Sequence, residues 1–115
     1  MAKKTFEDLL LESVDEAFAS LGESVRQAIY FHLEKKFKLA KKDIPYRPED
    51  FVAGLEKIFG LGARFLEILI MKKLYEKIDQ PLKWNENKEL VFVDYVAVAK
   101  QSFSKKNKEV KAIKV

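Results

Sequence analysis

Apolar residues recur at steps of three and four along most of this chain, and that period belongs to the α-helix. Phe6, Leu9, Leu10, Val14, Ala17, Phe18 and Leu21 mark one face of a first segment. Val25, Ala28, Ile29, Leu33 and Phe37 mark a second, with Tyr30 and Phe31 on neighbouring faces. Phe51, Val52, Leu55, Ile58 and Phe59 mark a third, and a run from Phe65 to Ile78 is apolar on almost every side. Only 4 Gly and 3 Pro punctuate 115 residues, so long elements are expected. The expected fold class is all-α: a single compact domain of about five helices over residues 1–103, followed by a basic, lysine-rich C-terminal tail at 104–115.

Capping and breaking residues place the boundaries. Thr5 suits a helix N-cap, with Glu7 and Asp8 facing the positive end of the dipole, and Gly22 supplies a stop. The second helix opens near Ser24, and its wide apolar circumference predicts a central element. Residues 43–48 hold Pro45 and Pro48, each biasing its predecessor away from the helical region, so an extended connector is expected there. Pro48, with Glu49 and Asp50 behind it, starts the third helix, and Gly60 breaks it. Leu61-Gly62 opens the fourth helix, the most apolar piece, expected at the heart of the domain or in a subunit contact. Asp79-Gln80-Pro81 ends it. Residues 82–98 leave two solutions, a hairpin turning at 85–88 or a fifth helix from about 88 to 103 capped by Asn87. The spacing of Phe92, Tyr95, Val96, Ala99 and Phe103 favours the helix.

The composition excludes several chemistries. With no cysteine there is no disulfide framework, zinc ribbon or thiol nucleophile. His32 is the single histidine, so no site can use two imidazoles; a half-buried structural role is expected for it. The carboxylates Glu7, Asp8, Glu12, Asp15 and Glu16 lack the paired Glu-x-x-His of di-iron bundles and read as a solvated acidic face. Gly60-Leu61-Gly62 lacks the spacing and the preceding strand of a phosphate-binding turn and reads as a tight helix–helix corner. No catalytic residue, cofactor or metal is therefore expected, and the chain reads as non-enzymatic. No stretch of 18 apolar residues is present, and the N-terminus lacks a signal-peptide core, which predicts a cytoplasmic protein with no membrane partner. Lys/Glu richness without cysteine is a compositional mark of thermophilic proteins.

Charge is unevenly spread. Residues 1–99 carry 16 Lys/Arg against 17 Asp/Glu, whereas residues 100–115 carry six lysines against Glu109. A second cluster, Lys35, Lys36, Lys38, Lys41 and Lys42, has no acid among it. Such clusters are either solvated or contact phosphates, and the scarcity of arginine favours the former.

The run Ile29-Tyr30-Phe31-His32-Leu33-Glu34-Lys35, with Asp43-Ile44-Pro45, Pro48-Glu49-Asp50-Phe51, Ile58-Phe59-Gly60-Leu61-Gly62-Ala63 and Leu74-Tyr75-Glu76, resembles a small archaeal helical family, the Nitrosopumilus output domain. The likeness covers roughly residues 10–78, and more loosely reaches 100. It implies an all-helical, stand-alone or output-type domain with no established activity, and it carries no catalytic signature.

The fourteen large aromatics, mostly at helical spacing, exceed what one small core readily absorbs, and the surplus predicts protein–protein contact, most simply a homodimer. The expected contact residues are Leu66, Ile70, Met71 and Tyr75. The alternative is a nucleic-acid-binding protein in which helices three and four form a helix-turn-helix-like unit, with Lys35, Lys36, Lys38, Lys41, Lys42, Lys72 and Lys73 on phosphates. A third reading is a small-ligand pocket around His32 and Tyr30.

Overall fold

The structure, a computed structural model, describes residues 4–82 and 91–113, with side chains to residue 106. Among them are five α-helices and two short 3₁₀ turns: α1 (Phe6–Ala19), α2 (Glu23–Phe37), η1 (Lys41–Tyr46), α3 (Pro48–Phe59), η2 (Gly60–Gly62), α4 (Ala63–Lys77) and α5 (Phe92–Ile113). The chain is a single all-α domain, with no strand among the described residues.

α1 begins where its cap predicts. The Asp8 amide donates to Thr5 Oγ1 at 3.1 Å and the Thr5 amide donates to Asp8 Oδ2 at 3.0 Å, a reciprocal capping box. Its buried face (Phe6, Leu10, Val14, Ala17, Phe18) lies mainly against α4. α2 and η1 cover one flank of α1, α3 packs on both α2 and α4, and α5 closes over α3 and α4. Four helices meet through rings: Phe18 stands 5.3 Å from Tyr30 and 6.1 Å from Phe51, and Phe51 stands 5.8 Å from Phe92. Aromatic pairs at such separations add to ordinary burial. This chain of rings ties α1, α2, α3 and α5 into one core.

Three expectations change. Residues 43–48 are not extended, because Lys41–Tyr46 forms a 3₁₀ turn with Pro45 inside it. A proline's fixed φ suits that turn, and the fully buried Ile44 pins it to the core. α2 is peripheral rather than central. Only Ile29 and Leu33 are fully buried on it, and Phe31 is 57% exposed. The fifth helix begins at Phe92 and its backbone continues to Ile113, so residues 104–113, expected as a tail, extend α5. Its buried face, Phe92, Val96 and Ala99 with Tyr95 and Phe103 half-buried, matches the spacing in the sequence. The Asn87 cap and the 85–88 turn lie outside the described residues.

Gly54 is needed for close helix packing. A Cβ there would stand 2.6 Å from Leu33 Cδ2, with the Phe37 ring at 3.5 Å behind it. Leu33 is fully buried and cannot swing into solvent. Gly54→Ala is therefore expected to cost about 1–2 kcal/mol, the overpacking penalty exceeding the gain of about 1 kcal/mol in helix propensity. Urea unfolding checks this, and a stabilised variant would show that α2 and α3 are not packed as closely as described.

Among the described residues no helix is long and apolar enough to cross a membrane.

Candidate functional site

α4 carries apolar residues around most of its circumference, and the packing of α1, α3 and α5 decides which of them are enclosed. Ala63, Leu66, Ile70, Met71, Leu74 and Tyr75 point inward, together with the carboxylate-bearing Glu67. The opposite face is open. Leu61, in the η2 corner, is 81% exposed and Phe65, one turn later, is 79% exposed. Ile68 and Leu69 continue the stripe as half-buried residues, and the exposed Lys72 and Glu76 complete it at the C-terminal end.

The four residues expected at a subunit contact are thereby corrected. Ile70 and Met71 have no exposed surface, and Leu66 and Tyr75 are buried. All four belong to the core of a single subunit, and Tyr75 donates to the Tyr95 carbonyl at 2.8 Å, joining α4 to α5. Burial raises the Tyr75 hydroxyl pKa, and the neighbouring Tyr95 adds to that shift. Across η2 and α4 the exposed large apolar residues are Leu61 and Phe65, neither of which sequence periodicity distinguishes from core. A helix that is apolar all round has no unique inward face until its neighbours are known.

The exposed positions of η2 and α4 mix the apolar Leu61 and Phe65 with the charged Arg64, Lys72 and Glu76. The lysines also divide. Lys72 is exposed and Lys73 half-buried on α4, while Lys35, Lys36, Lys38 and Lys42 are exposed around the end of α2 and the start of η1. Lys41 is committed elsewhere: its Nζ lies 3.3 Å from Asp15 Oδ1 and 4.9 Å from the centre of the Tyr30 ring.

Asp15 is the centre of a polar knot that the sequence does not announce. Its Oδ1 accepts from Arg26 Nη1 at 2.7 Å, from the Tyr30 hydroxyl at 3.0 Å and from Lys41 Nζ. Arg26 also grips Glu23 through two nitrogens, at 3.0 and 2.6 Å. Partial burial pushes the Asp15 carboxyl upward, but the hydrogen bonds from Arg26, Tyr30 and Lys41 outweigh it and hold the group below its usual range. Burial and the adjacent carboxylate push the Tyr30 hydroxyl well above the ordinary phenol range. Such a knot clamps α1, α2 and η1 together. Glu12 and Glu16 are likewise paired, with Lys4 and Lys77, each at 2.6 Å. No group of three or more His, Cys, Asp or Glu side chains suited to a metal ion occurs among the described residues.

The knot makes stability sensitive to acid. A carboxyl with a depressed folded pKa contributes above its unfolded value and loses that contribution as pH falls through the folded value. Wild-type protein is expected to exceed Asp15→Asn by about 1 kcal/mol at neutral pH, a value suited to partly exposed ion pairs. The gap should close as the pH drops below the ordinary value of 3.8. Thermal melts of both proteins across that range check it, and a gap that widens in acid would reverse the assigned sign.

No family model, curated protein or solved structure matches the chain.

Proposed function

We propose that this protein is a non-enzymatic helical module that acts by protein contact, and that its contact surface is the outer face of α4, paired with the same face of a second copy. One observation carries this reading: Leu61, in the η2 corner, and Phe65, on the first turn of α4, stand 81% and 79% exposed, while the other face of α4 fills the core. Large contiguous apolar exposure is uncommon on monomers and marks interaction surfaces.

The make-up of the stripe favours a second copy as the occupant. Its N-terminal half is apolar (Leu61, Phe65, Ile68), and its C-terminal half offers the long stems of Lys72 and Glu76. Two such helices crossing antiparallel near Ile68 set each Phe65 ring against the other copy's Lys72, whose stem packs on the ring and whose ammonium meets its negative face. That arrangement is self-complementary, as a two-fold interface must be. A stripe built for a different protein has no need to contain both halves of the match. An output-type role, implied by the family resemblance, is consistent with contact rather than turnover as the working principle.

Sedimentation equilibrium at ~100 µM tests the reading. A dimer is expected, and a strictly monomeric chain across that concentration range overturns the second copy as the occupant.

A further inference from the structure

Away from the α4 face, one cleft gathers cationic side chains that no carboxylate answers. It lies between α2 and α3, measures about 450 Å³ and is lined by His32, Lys36 and Phe37 from α2 and by Lys57 and Ile58 from α3. Among the described residues Lys4, Arg26, Lys41, Arg47, Lys77, Lys100 and Lys106 each have a carboxylate partner, whereas Lys35, Lys38, Lys42, Lys72, Lys73 and Lys105 stand without one. Neither Lys36 nor Lys57 has one among the described residues, and no acid lines the cleft. His32, Lys36 and Lys57 share its lining, and Lys35 and Lys38 lie close by in the chain at the end of α2.

The rest of the lining is apolar. Phe37 and Ile58 are half-buried and supply a hydrophobic wall beside the cations. The volume lies within the range of small-molecule sites, which combine an apolar wall with a few polar groups. Paired cations bind a doubly charged oxyanion far better than a neutral group, and the wall adds favourable burial for a flat ring joined to it. We propose that this α2–α3 cleft binds a nucleoside phosphate, the phosphate lying between Lys36, Lys57 and His32 and the base against Phe37 and Ile58. The shared chemistry has two sources, a free nucleotide or one unit of a single-stranded nucleic acid whose further phosphates would reach Lys35 and Lys38. This inference is independent of the α4 contact surface and stands or falls apart from it.

Amide NMR titration of the full chain with adenosine monophosphate, a short oligoadenylate and inorganic phosphate is the test. The monophosphate is expected to shift residues 32–37 and 57–58, and the Lys36→Gln/Lys57→Gln double variant to weaken binding at least ~10-fold with its other resonances unmoved. Both lysines are exposed, so the variant keeps its fold. Tighter, more steeply salt-dependent binding of the oligonucleotide identifies the nucleic-acid source, since each phosphate contact adds to the salt slope. Equal binding of the two identifies the free nucleotide. The proposal is overturned if the monophosphate leaves those amides unmoved at millimolar concentration, if the double variant binds as well as wild type, or if inorganic phosphate binds as tightly as the nucleotide.

Discussion

Phe51→Ala is expected to destabilise the domain by about 3–5 kcal/mol, the range for removing a fully enclosed ring. Phe51 has no exposed surface and touches the core from the middle: its ring lies 6.1 Å from Phe18 and 5.8 Å from Phe92. Removing it leaves a cavity at the point where α1, α3 and α5 meet, and neighbouring backbones cannot collapse into it. A melting temperature lowered on the order of 10–20 °C follows for a domain of this size. Equilibrium unfolding in urea measures the change directly. A loss below about 1 kcal/mol would mean that the aromatic chain does not hold these helices together.

Phe65→Glu should behave in the opposite way. The side chain is almost wholly in water in the single subunit, so folding stability should move by no more than about 0.5 kcal/mol, as for other surface changes. Association should suffer heavily, because the substitution removes the ring that packs on the other copy's Lys72 stem, and a solvated carboxylate–ammonium pair in its place returns little of that burial. Aromatic anchors at interface centres are commonly worth 2 kcal/mol or more, so the dimer dissociation constant is expected to rise at least ~30-fold. Ile70→Ala, five residues away but on the inner face, supplies the contrast: a loss of about 2–5 kcal/mol in folding stability from cavity formation. Sedimentation separates the two effects. If Phe65→Glu unfolds the chain while leaving the oligomer intact, the outer and inner faces of α4 have been assigned the wrong way round.

How much the residues foretell depends on whether their signals are local. The Thr5 capping box, Pro48 at the start of α3 and the positive φ of Gly60 are settled within a few positions, and each stands where the sequence places it. The period of Phe92, Val96 and Ala99 likewise identifies the buried face of α5. What sequence cannot resolve is which face of an all-round apolar helix turns inward. Leu66 and Phe65 are adjacent and both large and apolar, and only the positions of α1, α3 and α5 separate core from surface. α2 fails in the other direction, since its apolar positions exceed what its two contacting neighbours cover, leaving Val25 and Phe31 in solvent. The Asp15 knot joins residues 11, 15 and 26 positions apart, a separation that no local pattern encodes. The η1 turn departs from expectation because burial of Ile44 decides between two backbone conformations that proline permits equally.

The chain contains no cysteine, so a single introduced thiol reports on one surface alone. With Ile68→Cys, at the centre of the stripe, mild oxidation is expected to convert most of the protein to a covalent dimer within minutes. Gln27→Cys, on the exposed face of α2, should remain monomeric under the same conditions. Cross-linking at position 27 but not at 68, or at neither, would contradict pairing through the outer face of α4.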